Sequence, residues 1–189
     1  MGNGELTETP TSENEVYATL IAPINQESVR NLAAFLSRAS MANVSHIHLL
    51  LQSFGGMIGD GICAYSLLKG CSMPLTIYNC GAVQSAAVLA YIGAATRKVS
   101  PYAAFMAHSC AVGSQGAGPH ALKSIARSME IDNERAEGII HKHASLSDEQ
   151  WAIYQNRDLW LSAEEAIANG IADEIGEFCP PAGTQVHAV

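Results

Sequence analysis

One serine lies where a short apolar segment gives way to a helix-forming segment, a position from which it could act as a nucleophile. Ser85 follows residues 75–79, which are typical of a buried strand, and precedes residues 86–93, which are typical of a packed helix. Gly81 marks the turn between them. The first turn of a helix offers unpaired backbone N–H groups and the positive end of the helix dipole, and both favour developing negative charge. Serine is also among the commonest N-cap residues, so an ordinary helix cap explains the same position.

Acyl transfer by a serine requires a base, a group that holds the base, and N–H donors for the oxyanion. His108 ends the apolar run of residues 104–107, at the edge where the predicted sheet gives way to a glycine-rich segment, so its imidazole could point into a cleft beside Ser85. Asp158 precedes an apolar run that should anchor it near the core, as an orienting carboxylate requires. Local hydrogen bonds for His108, and a turn or a salt bridge to Arg157 for Asp158, are the alternatives.

A glycine pair supplies candidate donors for the oxyanion. Gly55 and Gly56 follow a predicted strand and open a helix, so their backbone can approach a bound group closely and turn N–H groups towards it. The candidate donors are the N–H groups of Gly56 and of Ala86, the residue after the serine. A phosphate-binding loop is the rival interpretation, but the chain has neither the GxxxxGK[ST] nor the GxGxxG pattern.

The histidines and cysteines show no metal-binding or disulfide pattern. His46 and His48 share one face of a predicted strand and are expected to face solvent, with no third ligand nearby. The cysteines are odd in number and form no Cys-x-x-Cys pair, which fits free thiols in a reducing cytoplasm. They are Cys63, Cys71, Cys80, Cys110 and Cys179. We therefore expect no metal, no cofactor and a cytoplasmic location.

Strands and helices alternate along the chain, which predicts an α/β fold with a mostly parallel sheet and flanking helices. The predicted strands are residues 16–21, 46–51, 75–79, 98–100 and 104–108, and residues 171–175 are expected to close the fold. The predicted helices are residues 26–42, a helix that ends near Gly70, the helix after Ser85, a long charged helix over 119–143 that should project, residues 148–154, and a helix from Ser162 with Glu165 in a capping box.

The length of 189 residues fits one domain. Residues 1–15 are polar and acidic and are expected to form a disordered tail. Residues 16–178 are expected to form the domain, and residues 179–189 a flexible tail without periodicity.

The composition argues against nucleic-acid and membrane partners. The chain has a formal net charge of −8 and no basic cluster. No apolar run approaches the roughly 20 residues that span a bilayer, and the N-terminus lacks the basic and apolar regions of a signal peptide. Because charged residues make up only 15% of the chain against 48% apolar residues, we expect a subunit that buries part of its surface against copies of itself.

Four segments carry a resemblance to a known family by their order and spacing. They are Ser53-Phe-Gly-Gly, Gly81-Ala-Val-Gln-Ser-Ala-Ala, Met106-Ala-His and Arg157-Asp-Leu-Trp-Leu-Ser-Ala-Glu-Glu-Ala. Together they resemble the Clp protease proteolytic subunit (ClpP) family of serine peptidases. The resemblance extends from about residue 16 to residue 175, and its more specific parts are the last segment and the separation of 23 residues between Ser85 and His108.

The resemblance implies a crotonase-like α/β core and hydrolysis of peptides or unfolded proteins. It implies that Ser85 is the nucleophile, that His108 is the general base and that Asp158 holds His108. Gly56 and Ala86 would then be the oxyanion donors. It also implies a homo-oligomer, a heptameric ring or double ring, in which the helix over residues 119–143 is a handle that interdigitates two rings.

The family binds its substrate as an extended strand, which implies two backbone segments for substrate binding. The implied substrate-binding residues are Gly55, Met57, Ile58, Cys110, Ala111, Val112, Gly113 and Ser114. Cys110 and Ser114 would line the cleft. Nucleophilic attack by Cys110 is not expected, because no neighbour in the sequence is basic enough to lower its pKa.

The chain departs from the family at three places. Phe54 and Cys110 stand where family members usually carry proline, and the acidic N-terminal stretch does not resemble the family's N-terminal segment. We therefore expect a peptidase that acts without a Clp ATPase. An inactive ClpP-like ring subunit and a crotonase-type acyl-CoA enzyme are the main alternatives. A membrane-associated Ser-Lys peptidase, with Lys123 or Lys142, is a weaker one.

Overall fold

A mostly parallel sheet forms the centre of the molecule in the computed structural model, which describes residues 14–110 and 118–189. The strands are β1 (Glu15–Ile21), β2 (His46–Gln52), β3 (Leu75–Asn79), β4 (Ala82–Gln84), β5 (Thr96–Val99), β6 (Ala104–Ala107), β7 (Leu159–Leu161), β8 (Glu174–Ile175) and β9 (Val186–Ala188). The helices are α1 (Gln26–Met41), α2 (Ile58–Lys69), α3 (Ala86–Ile92), α4 (Pro119–His143), α5 (Asp148–Asn156) and α6 (Ala163–Ala168). The α/β fold predicted from the sequence is confirmed.

Two sheets divide the described strands. The larger has the order β8-β5-β3-β2-β1-β9, and every neighbouring pair in it is parallel. The smaller has the order β4-β6-β7, with β6 and β7 antiparallel. An isolated bridge between Ser53, just after β2, and Val83 in β4 joins the two sheets. Because β4 precedes α3 and β6 precedes His108, the smaller sheet sets the positions of the candidate catalytic side chains.

Helix α3 is buried on every side, as its continuous apolar sequence requires. Its neighbour α2 packs very closely: a Cβ added at Gly61 would lie 2.6 Å from the Ala86 carbonyl oxygen. The one polar group of the helix, the Tyr91 hydroxyl, donates a hydrogen bond of 2.8 Å to the Lys98 carbonyl oxygen. The start of α3, and with it Ser85, is therefore held in the core rather than on a mobile surface loop.

Helix α4 contacts the core near its C-terminal end. Of its residues, only Ala136 and Ile140 are buried, and Pro119 stands in its first turn, where the missing N–H is not needed. The long charged helix predicted over residues 119–143 is confirmed, with the same bounds. The predicted capping box of α6 is also confirmed, since Ser162 and Glu165 exchange hydrogen bonds between side chain and backbone.

The C-terminal residues differ from the expectation of a flexible tail over 179–189. Strand β9 pairs in parallel with β1, with Tyr17 opposite Val186 and Thr19 opposite Ala188. Without β9, β1 would present unpaired N–H and C=O groups at the sheet edge, and pairing satisfies them. Just before this segment, the Phe178 ring packs edge-on against Tyr17 and Tyr78. A three-residue strand is too short to leave a periodic pattern in the sequence.

Neutral His143 links the end of α4 to α2, and its titration should make the protein less stable in acid. Its Nε2 lies 3.0 Å from the Tyr65 hydroxyl oxygen. Burial lowers the pKa of His143 below its ordinary value of 6.5, and nearby lysine and arginine side chains lower it further. The unfolded chain therefore binds a proton at a pH where the folded protein does not. The contribution of neutral His143 to the free energy of unfolding should be at its maximum above pH 6.5. It should decrease as the pH falls below that value.

Urea unfolding at about pH 8 and about pH 5.5 measures this acid loss. The variant His143→Gln should lose less stability between the two pH values than the wild type. His48, whose pKa burial also lowers, should account for part of the remaining loss. His120→Gln is the control, because His120 is exposed near the start of the same helix. An equal acid loss in His143→Gln and the wild type would contradict the prediction.

Candidate active site

Ser85 has an unusual backbone conformation. Its φ is 53° and its ψ is −127°, a region that L-residues rarely enter. Such a conformation costs about 1–3 kcal/mol and is found mainly at functional sites. The Ser85 N–H donates a hydrogen bond of 2.7 Å to the Met106 carbonyl oxygen, which ties the serine to β6. Its side chain forms no hydrogen bond to the start of α3, so it is not the ordinary helix cap that the sequence also allowed.

Gly55 lies directly against the serine. Its φ is +98°, and a Cβ added there would lie 2.7 Å from the Ser85 Cβ and 2.9 Å from the Gln84 carbonyl oxygen. Both the left-handed conformation and the lack of space require glycine. The residue therefore sets how closely the glycine loop approaches the Ser85 side chain.

The backbone of Gly56 is oriented by the segment between β1 and α1. The Ile24 N–H donates to the Gly55 carbonyl oxygen, and the Met57 N–H donates to the Ile24 carbonyl oxygen, each at 2.9 Å. In this parallel bridge the N–H of the middle residue, Gly56, points away from Ile24. A Cβ at Gly56 would collide with the Ile24 carbonyl oxygen. The Gly56 N–H is thus left for another acceptor.

The Ala86 N–H is the second available donor near the serine. Ala86 is the first residue of α3, and the N–H groups of the first helical turn have no acceptor within the helix. Ala86 and Gly56 line the same cavity as Ser85. The two donors predicted from the sequence therefore border one space together with the serine hydroxyl.

His108 follows β6 and is half-buried in the wall of that cavity. Its Nδ1 lies 2.6 Å from the carbonyl oxygen of Ser109. Ser109 is itself held by its N–H, which donates to the Tyr154 carbonyl oxygen at 3.0 Å. The imidazole thus forms the local hydrogen bond that the sequence offered as the alternative to a catalytic role. That bond uses Nδ1, so Nε2 is the nitrogen that could accept a proton from Ser85.

Asp158 lies beside His108 in the strand register, but its side chain is exposed. Ala107 pairs with Leu159 in the antiparallel β6–β7 ladder, so the next residues outward, His108 and Asp158, stand opposite each other. The buried Leu159 anchors this end of β7. Asp158 does not line the Ser85 cavity. In this arrangement the hydrogen-bond partner of His108 Nδ1 is the Ser109 carbonyl oxygen and not Asp158.

The cavity beside Ser85 has a volume of about 290 Å³. Of the residues implied for substrate binding, Met57, Ile58 and Cys110 line this cavity. Gly55 packs directly against Ser85 but does not line the cavity. Ala111, Val112, Gly113 and Ser114 lie outside the described residues. Sequence reasoning missed the wall that α4 contributes, which consists of Ser128, Met129, Asp132, Ala136 and Ile140. Apart from the adjacent Ser128 and Met129, successive members are three or four residues apart, which marks one helix face, but nothing local shows which surface that face meets.

Cys110 is held by α4 and is not poised as a nucleophile. Its N–H donates a hydrogen bond of 2.6 Å to the Asn133 Oδ1. Burial raises the pKa of the Cys110 thiol, and the negative charge of Asp132 raises it further. A thiol with a raised pKa holds its proton at neutral pH and attacks poorly.

The two histidines of β2 have hydrogen-bond partners within the protein. His46 Nε2 lies 2.9 Å from the Thr76 hydroxyl oxygen, and His48 Nδ1 lies 2.9 Å from the Tyr78 hydroxyl oxygen. The two imidazoles stack on each other, and both are half-buried rather than facing solvent freely. No group of three metal-ligating side chains occurs within residues 14–110 and 118–189. In the same part of the chain, no helix combines the length and apolar character needed to cross a membrane.

Comparisons with known proteins identify the family of this chain. The family model described as Clp protease matches residues 11–178. The ATP-dependent Clp protease proteolytic subunit 3 of Rhizobium etli is 28% identical over 158 residues, covering 82% of this chain and 81% of that protein. Proteolytic subunit 2 of Pseudomonas aeruginosa is 26% identical over 131 residues, covering 68% of this chain and 65% of that protein.

Among solved structures, a point mutant of ClpP1 from Listeria monocytogenes has the same fold. The TM-score is 0.74 at 25% sequence identity, and the match covers 87% of this chain and 92% of that one. Because the family model spans most of the sequence and a solved member shares the fold, the chain belongs to the Clp protease family.

Proposed function

We propose that this protein is a serine endopeptidase that hydrolyses peptide bonds of peptides or unfolded proteins through an acyl-enzyme. The observation that carries the proposal is the strained backbone of Ser85, whose side chain forms no cap with its helix and borders one cavity with His108 and two N–H donors. A strained backbone persists only where the surrounding structure enforces it, and such residues are concentrated at active sites. Membership of the Clp protease family supports the same chemistry.

In the first step, the Ser85 Oγ attacks the carbonyl carbon of the scissile bond while His108 Nε2 takes the hydroxyl proton. The carbonyl oxygen becomes an oxyanion and accepts hydrogen bonds from the Gly56 and Ala86 N–H groups. His108 then gives its proton to the leaving amine, and the acyl-enzyme remains. A water molecule, deprotonated by His108, attacks the ester carbonyl carbon. His108 returns that proton to the Ser85 Oγ as the ester bond breaks, and the acid product leaves.

His108 carries a positive charge in both transition states and needs a partner for Nδ1. The Ser109 carbonyl oxygen occupies that place in the described structure. A carboxylate stabilises an imidazolium more strongly than a carbonyl does. We propose that the ring turns to Asp158 in the active arrangement, because the strand register brings the two residues opposite each other.

We further propose that the substrate lies extended along the backbone of residues 56–58 and the segment after Cys110, within a homo-oligomeric ring in the cytoplasm. The relatives above are named as subunits of ATP-dependent proteases. For this chain we expect short peptides to be hydrolysed without ATP. A folded substrate degraded only with ATP and an added unfoldase would contradict a role without a Clp ATPase.

A fluorophosphonate probe tests the proposed nucleophile directly. Such a probe phosphonylates a serine only where a base activates it, so we expect label on Ser85, located by mass spectrometry, and none on Ser85→Ala. Light scattering on the same sample records the mass of the assembly. An inactive ring subunit is the second candidate, favoured by the His108–Ser109 hydrogen bond. A well-formed oligomer that takes no label would support it and contradict the proposed peptidase.

A further inference from the structure

One face of α4 carries a carboxylate into the cavity that the proposed function assigns to substrate. Met129, Asp132, Ala136 and Ile140 line the cavity at helical spacing. Ala136 and Ile140 are buried and apolar, whereas the Asp132 side chain is 27% exposed and stands one turn closer to the free part of the helix. The cavity therefore combines apolar walls with one acidic group towards its α4 side.

No lysine or arginine in the described cavity wall offsets the charge of Asp132. Among the described lining residues, Asp132 is the only carboxylate, and none is lysine or arginine. Residues 111–117, between Cys110 and α4, contain no charged residue in the sequence. The carboxylate acts on the cavity, since its negative charge contributes to the raised pKa of the Cys110 thiol. Glu137 also raises the pKa of Cys110 and of Tyr154.

The existing partner of Asp132 lies outside the cavity. Arg135 Nη1 is 2.9 Å from Asp132 Oδ1, one turn along the same helix. The Arg135 side chain is 48% exposed and does not line the cavity. Ion pairs between exposed side chains on one helix stabilise a protein only weakly. Arg135 therefore weakens the field of Asp132 without preventing a second cation from reaching the carboxylate.

We propose that this cavity selects a substrate side chain with an apolar stem and a cationic end, which is a lysine or arginine of the peptide. The methylene groups would pack on the apolar wall, in the way that long basic side chains cover hydrophobic surface. The cationic end would form a charge-assisted hydrogen bond with Asp132. The inference rests on the proposed function, because it assigns the substrate class of that site.

A set of peptides that differ at one position tests the preference. Lysine, norleucine or glutamate is placed in turn at each of the three positions before the cleaved bond, and kcat/KM is measured for each. Norleucine keeps the apolar stem and lacks the charge. At one position we expect lysine to exceed norleucine about tenfold, the effect of a hydrogen bond to a charged group, and glutamate to be the poorest.

Two variants on α4 should move the preference in opposite directions. Asp132→Asn removes the charge at nearly constant volume and should reduce the ratio of lysine to norleucine to about one. Arg135→Gln removes the competing cation and should increase the ratio. Glu130→Gln and Arg127→Gln are the matched controls, because this pair has the same spacing and distance on the same helix but does not line the cavity.

Cleavage of the norleucine peptides separates the two levels of the inference. If they are cleaved and lysine is preferred nowhere, or if the lysine preference survives in Asp132→Asn, the proposed substrate class is wrong and the peptidase stands. If no peptide is cleaved and Ser85 takes no fluorophosphonate label, the proposed function itself is wrong.

Discussion

Replacing Ser85 by alanine is expected to lower kcat for peptide hydrolysis by about 10⁶-fold, as removal of a catalytic serine does in a triad. The reason is that no other described side chain in the cavity is placed to attack: Cys110 lines it, but its thiol has a raised pKa. Hydrolysis of a fluorogenic peptide, with the assembly mass measured in parallel, checks the prediction. Alanine has a Cβ as serine does, so the backbone strain and the fold should be unchanged.

Ser66→Ala is the matched control, since Ser66 is exposed on α2, donates its hydroxyl to the Ile62 carbonyl oxygen and does not line the cavity. It should keep nearly full activity. A third variant, Ser85→Gly, separates function from strain. Glycine tolerates the backbone angles of this position, so this variant should be inactive yet more stable than the wild type by about 1 kcal/mol. Retained hydrolysis in Ser85→Ala would exclude Ser85 as the nucleophile.

Replacing Asp158 by asparagine is expected to lower kcat by about 10⁴-fold, the loss found when the orienting carboxylate of a triad is made neutral. An amide can hold the imidazole in the wrong tautomer and cannot stabilise its positive charge. The KM should change little, because Asp158 does not line the cavity that we assign to substrate. Steady-state kinetics on one peptide, with kcat and KM determined separately, gives both quantities.

Asp148→Asn provides the comparison, since Asp148 is an exposed aspartate at the first position of α5, whereas Asp158 follows the last. It should retain wild-type kcat. If Asp158→Asn also retains it, the His108 ring works from the Ser109 carbonyl oxygen, and the proposed rearrangement towards Asp158 is wrong. If the variant loses kcat and the oligomer together, Asp158 is structural and the assignment is contradicted as well.

Local patterns in the sequence were sufficient to predict the main elements and to single out the candidate nucleophile. The all-apolar stretch after Ser85 predicted a buried helix, and the observed α3 is buried throughout. The capping box at Ser162 and the bounds of α4 also agreed. These features depend on residues within a few positions of each other, so hydrophobic periodicity and capping chemistry describe them well. The three-residue strands β4, β7 and β9 were missed, because three residues cannot establish a period.

Only the tertiary structure determined the backbone conformation of Ser85 and the residues that form the cavity wall. Ser85 and His108 were recognisable as candidates by residue type and spacing, whereas the φ of 53° at Ser85 depends on the glycine loop and β6 packing around it. The hydrogen bond between Cys110 and Asn133 joins residues 23 positions apart, and Asp132 reaches the cavity only because α4 folds back over the segment after β6. Such contacts follow from how whole elements pack, which no local pattern encodes. The candidate nucleophile could therefore be read from the chain itself, and the acidic wall that we propose selects its substrate could not.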